Sequence, residues 1–135
     1  MLGAGGNIQG NRDFIQMLRR MSKEIGALLI FDEVQTGMGR TGSLFAYQQL
    51  GVTPDIMTVA KALGNGMPIG VMLTTEKLAS SLVPGTHAST FGGNPVSCAI
   101  GREVLHIVQE EGLQRQAKET GDYLLAELRK LQRSH

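Results

Sequence analysis

Residues 27–42, ALLIFDEVQTGMGRTG, run from an unbroken apolar stretch through two carboxylates into a glycine-rich segment. A short apolar run without alternation suits a strand covered on both faces, as in parallel sheets. A second run, residues 55–63, DIMTVAKAL, is entered through Pro54 and ends near Lys61, after which the chain turns glycine-rich at GNGMPIG. A third, residues 69–75, IGVMLTT, follows.

Helical patterns flank these runs. Residues 11–26 carry Phe14, Leu18, Met21 and Ile25 at helical spacing, with Asn11 placed to cap the start and Gly26 to stop it. Residues 43–51, SLFAYQQLG, allow only a short helix ended by Gly51, and residues 76–82 another. Residues 83–95, VPGTHASTFGGNP, read as a long loop. Pro95 suits the first turn of a helix over residues 95–110, with Val96, Ile100, Val104 and Ile107 on one face. A last helix over residues 113–132 carries Leu113, Ala117, Leu124, Leu128 and Leu131.

Helix, strand, crossover, strand is the order of an α/β layer built on a parallel sheet. Right-handed crossovers put the carboxyl ends of the strands that finish near Val34 and Leu63 on one edge of that sheet. Open α/β sheets bind ligands outside those ends. Asp32, Glu33, Lys61 and three glycine-rich loops are therefore expected at one crevice.

Composition narrows the function. The chain of 135 residues has 41% apolar and 19% charged residues and a net charge of +1, a globular balance. With 4% aromatic residues and no basic run longer than Arg19-Arg20, it lacks the basic, aromatic-interleaved stripe of a nucleic-acid binder. No stretch is long and apolar enough for a membrane span or a secretory leader, so a cytoplasmic location is expected. A single cysteine, Cys98, rules out a disulfide within the chain and a cysteine-based zinc site, and no metal is expected. Cys98 reads as a small buried residue, His106 as a partly buried packing residue, His87 as a solvent-facing loop residue, and Met17, Met21 and Met57 as core filler.

Three features carry chemistry. GMGRTG, residues 37–42, matches G-x-G-x-x-G, but only about nine residues separate it from Gly51, and Asp32 and Glu33 would repel a pyrophosphate. A nucleotide-binding domain built on Gly37, Gly39 and Gly42 is the weak alternative. Lys61 is the only charge between Asp55 and Glu76. A lysine partly withdrawn from water at a sheet edge can serve as an amine nucleophile toward a carbonyl. Asp32 follows LLIF, so its carboxylate needs a cationic or donor partner. A lysine Schiff base beside such an aspartate is what pyridoxal phosphate (PLP) requires, the aspartate keeping the pyridine nitrogen protonated.

LLIFDEVQTGMGRTG, PDIMTVAKALGNGMPIG and GTHASTFGGNP, in this order and spacing, resemble the signature segments of class III (ornithine/acetylornithine-type) aminotransferases, PLP enzymes of fold type I. The resemblance covers essentially the whole chain and implies an α/β fold: part of the fold type I large domain, a mainly parallel sheet with covering helices, incomplete here. It implies that residues 1–112 belong to the PLP-binding large domain, and that residues 113–135 lead toward a small C-terminal domain beyond this segment. It further implies that Lys61 is the Schiff-base lysine and proton shuttle and that Asp32 partners the pyridine nitrogen. Val34 would lie against the ring, Gln35 would reach its phenolic oxygen, and Thr90 would bind the cofactor phosphate of the neighbouring subunit in a homodimer. Glu33 is left between a site role and a structural one.

The expected reaction is transamination between an acetylornithine- or ornithine-like amino acid and a 2-oxo acid such as 2-oxoglutarate, placing the enzyme in amino-acid metabolism such as arginine biosynthesis. Two alternatives stay open: another ω-amino-acid aminotransferase, and a catalytically incomplete PLP-binding module. The chain looks like a fragment. The family's same-subunit phosphate loop, its ring-stacking aromatic and its substrate-binding arginine have no counterpart, and Ala4 stands where the ornithine and aminobutyrate branches often have an acidic residue. The isolated segment is expected to associate and to be inactive.

Overall fold

The structure, a computed structural model, describes residues 9–134. Ala4 and most of the opening glycine-rich segment lie outside them. Helix α1 spans Arg12–Glu24, β1 Ile30–Asp32, α2 Tyr47–Leu50 and β2 Ile56–Val59. A 3-10 turn follows at Lys61–Leu63, then β3 Val71–Thr74, α3 Glu76–Ala79, α4 Pro95–Glu110 and α5 Leu113–Ser134.

Local chemistry sets the boundaries. Asn11 accepts the Asp13 N–H at 2.8 Å to start α1, and Gly26 leaves that helix region at φ +70°. Asn94 accepts the Ser97 N–H at 2.9 Å, and Pro95 occupies the first turn of α4. Gly51, left-handed at φ +67°, ends α2.

The sheet has the order β1-β2-β3 and is mixed. β1 and β2 are parallel, with Asp32 opposite Thr58, as the crossover pattern predicts. β3 runs antiparallel to β2, with Val59 opposite Val71. The connection over residues 60–70 is a tight turn, too short for the covering crossover that a parallel neighbour needs. The α/β class stands, and the third strand departs from the parallel expectation.

In β2, Met57 and Val59 are buried while Ile56 and Thr58 are half-buried, so two faces of the sheet differ. The buried face meets Met38, Leu63 and Val108, with Val104, Leu105 and Leu113 packed around them. The face bearing Ile30, Asp32 and Thr58 is open, and Leu28 and Ile30 are 51% and 56% exposed. The apolar run was read as covered on both faces; among the described residues it is covered on one.

Several packing expectations are corrected. α4 buries Ser97, Gly101 and Val108, a face offset from the predicted one, and leaves Val96 and Ile107 exposed. Small residues govern this choice. A Cβ on Gly101 would stand 3.2 Å from Ile69 Cδ1 and 3.6 Å from Leu63 Cγ, so the helix lies close on the turn after Lys61 there. That rotation also exposes Cys98 and His106, both expected to be at least partly buried. Met57 is core, but Met17 and Met21 on α1 are exposed, because among the described residues no element covers that helix face. His87 is exposed, as expected.

Candidate active site

Asp32 ends β1, and Lys61 stands two residues past the end of β2, so the parallel pair delivers both to one sheet edge. Both line an open groove of about 1300 Å³ alongside β1 and α1, together with Val34, Gln35 and Thr36. Thr90 does not line it; that residue is exposed in the turn before α4. Four of the five residues singled out from the sequence are thus brought together.

Lys61 differs from expectation in detail. It is not the last residue of a strand but the first of the 3-10 turn, with a left-handed backbone at φ +45°. The turn is locked by the Leu63 N–H to Ala60 O and the Gly64 N–H to Lys61 O, both 3.0 Å. A Cβ on Gly64 would lie 2.1 Å from Met67 O, so only glycine fits where the chain doubles back. Lys61 is exposed rather than partly withdrawn from water, because the groove is open above it. Among the described residues its Nζ makes no hydrogen bond or ion pair.

Asp32 is likewise exposed, and its donors are neutral rather than cationic. Its Oδ1 accepts the Val34 N–H at 3.0 Å and the Thr58 hydroxyl at 2.9 Å. Among the described residues Oδ2 accepts nothing, so it is the oxygen free for a ligand donor. Thr58 escaped the sequence reading. The available signal was its place three residues before Lys61 on a strand paired with the one ending at Asp32.

Glu33 resolves to a structural role. The residue is 2% exposed, and its carboxylate accepts the Ala46 N–H at 3.1 Å, the Tyr47 N–H at 2.8 Å and the Thr36 hydroxyl. A buried carboxylate needs such partners, and here they fasten the glycine-rich loop to the start of α2. The glycines of that loop seat α5. A Cβ on Gly39 would lie 3.4 Å from Gln114 Cα, and one on Gly42 2.8 Å from Lys118 Cβ. Helix packing, not a phosphate, accounts for this G-x-G-x-x-G.

No group of three or more metal-ligating side chains occurs among the described residues, and none of their helices is long and apolar enough to cross a membrane.

A carboxylate and an amine with no partner among the described residues thus stand together at the carboxyl edge of a parallel strand pair in an α/β layer. The Aminotransferase class-III family model matches residues 1–135, and the chain belongs to that family. It is 50% identical over 129 residues to a succinylornithine transaminase of Salmonella newport (strain SL254), covering 96% of this chain and 32% of that protein. Acetylornithine aminotransferase from Elizabethkingia anophelis superposes with a TM-score of 0.93 at 38% identity, covering 98% of this chain and 33% of the other. The ornithine aminotransferase of Toxoplasma gondii, crystallized with oxidized glutathione and with PLP at partial occupancy in its active site, gives 0.86 at 36% identity (92% and 29%). The chain therefore spans about a third of the length of these relatives.

Proposed function

We propose that this segment supplies the cofactor-binding edge of a PLP-dependent transaminase that exchanges an amino group between an ornithine-like donor and a 2-oxo acid such as 2-oxoglutarate. The observation that carries the reading is the presence of Lys61 and Asp32 on one groove, each with hydrogen-bonding capacity unused among the described residues. The donor set fits the group: an amine for its carbonyl carbon, a free carboxylate oxygen for its ring N–H, and an amide for its phenolic oxygen. Bound PLP supplies a ring that accepts electrons from the substrate carbon bearing the amino group. Lys61 would hold the cofactor through its amine and, when free, would serve as the base that moves the substrate's proton. Asp32 Oδ2 would face the ring nitrogen and favour its protonated form. Val34 would lie against the ring face and Gln35 would reach the phenolic oxygen.

Thr90, away from the groove, is assigned to the phosphate of a second subunit in a homodimer. The large-domain part ends at the Glu111–Gly112 turn, and α5 leads onward. The 50% identity to a succinylornithine transaminase supports an N-acylated ornithine as the donor, acetylornithine included.

Borohydride reduction of the PLP-loaded protein tests this reading. A pyridoxyl mass on the peptide containing Lys61, absent from Lys61→Ala, is the expected result. A label on another lysine, or none, would overturn it and favour an incomplete module.

A further inference from the structure

We infer that Thr58 is a positioning residue for Asp32, one that selects which carboxylate oxygen meets the cofactor; this rests on the reading of Asp32 as the partner of the ring nitrogen. Thr58 and Asp32 are register partners in the parallel pair β1–β2, so their side chains emerge on the same, open face of the sheet. The Thr58 hydroxyl donates to Asp32 Oδ1 at 2.9 Å, and the Val34 N–H donates to the same oxygen at 3.0 Å. Both donors converge on Oδ1, which fixes the carboxylate plane and leaves Oδ2 as the free acceptor.

The backbone makes the hydroxyl's position rigid. The Glu33 N–H donates to Thr58 O at 2.9 Å, and Thr58 pairs with Met72 of β3 on its other side. The β-branched side chain is itself stiff at χ1. Asp32, at the exposed end of β1, lacks the β-branching that stiffens Thr58, and among the described residues no cation faces it within ion-pair distance. Without the hydroxyl the carboxylate would keep only the Val34 N–H and could rotate, presenting either oxygen to the groove.

The test uses the PLP-loaded holoenzyme carrying this sequence, with Thr58→Val, Thr58→Ser and Asp32→Asn compared. Two readouts are taken: the PLP dissociation constant by equilibrium dialysis, and kcat and KM separately. Thr58→Val keeps shape and loses the donor, so PLP should dissociate about tenfold more readily, the size of one hydrogen bond to a charged group. In the same variant kcat should fall while KM for the amino donor stays within about twofold, because Thr58 does not line the groove. Thr58→Ser should restore both. In an Asp32→Asn background, Thr58→Val should add little, since the two residues act through one contact.

If Thr58→Val lowers thermal stability but leaves PLP dissociation and kcat at parental values while Asp32→Asn impairs them, Thr58 is only structural and the inference fails. If Asp32→Asn itself leaves both unchanged, the underlying reading of Asp32 fails instead. Should Thr58→Val not fold, Thr58→Ala carries the same comparison.

Discussion

Arg19 of α1 grips Asp55 with both ends of its guanidinium, Nη1 to Oδ2 at 2.5 Å and Nη2 to Oδ1 at 2.9 Å. Oδ2 also accepts the Leu29 N–H at 2.8 Å, so one carboxylate ties α1, the approach to β1 and the entry to β2 together. The Arg19 hydrogen bonds, then the Leu29 N–H, hold the Asp55 carboxyl at about 2, below its ordinary 3.8.

A folded-state value below the unfolded one means stability that is complete above about pH 4 and lost as pH falls through about 2. With the pair one-fifth exposed, its contribution is at most about 2 kcal/mol, solvent screening included. In urea titrations from pH 5 to pH 2, Asp55→Asn should be less stable than the parent at pH 5 and converge with it near pH 2. A gap that persists unchanged at pH 2 would assign the effect to something other than this ion pair.

Gly42 has φ +91°, and an added Cβ would press on Lys118 Cβ at 2.8 Å, whereas Gly26 has φ +70° with nothing within 4 Å. Alanine at either site carries the backbone strain of the left-handed region, on the order of 1 kcal/mol. Gly42→Ala must also displace α5, so it should cost at least about 1 kcal/mol more than Gly26→Ala in thermal or urea unfolding. Equal costs would mean that α5 does not seat on this loop.

Subunit mixing checks Thr90. Holoenzyme carrying this sequence with Thr90→Ala, mixed and reassembled with holoenzyme carrying Lys61→Ala, should recover roughly a quarter of parental activity, as random two-fold pairing dictates. No recovery would place Thr90 in its own subunit's site, and unimpaired activity of Thr90→Ala alone would place it outside the site.

Leu28, Ile30, Phe14 and Met21 are exposed around α1 and β1, and Leu124, Leu128 and Leu131 along α5. Large apolar side chains left this exposed drive association. The 135-residue chain alone should elute from size-exclusion chromatography, with light scattering, as oligomer or aggregate, and show no transaminase turnover. A monodisperse monomer that turns over acetylornithine and 2-oxoglutarate would contradict this.

What could be read from the sequence was whatever rests on local pattern. Asp32 and Lys61 each follow an apolar run, and parallel pairing alone brings them to one edge. Asn11 and Pro95 fixed helix starts by short-range hydrogen bonding and ring geometry. The direction of β3 depended instead on how tightly residues 64–67 close, which Gly64 permits but apolar periodicity does not encode. The α4 face was misplaced for a related reason: periodicity pointed to Val96 and Ile107, while Gly101 and Ser97 are the small residues that let Leu63 and Ile69 come close. Thr58 and Arg19 act through partners 26 and 36 residues away, contacts that only the assembled sheet reveals.

The left-handed backbone of Lys61 sets the folding interest of the chain against its chemistry. A lysine at φ +45° raises the energy of the folded state on the order of 1 kcal/mol relative to a glycine there, before glycine's greater freedom in the unfolded chain is counted. A sequence selected for stability alone would gain little from a long cationic side chain at that point and would tolerate glycine well. The position is therefore one where a replacement that abolishes the proposed chemistry can leave the fold nearly as stable as before. Loss of function there would be silent to any selection or screen that reads only folded protein.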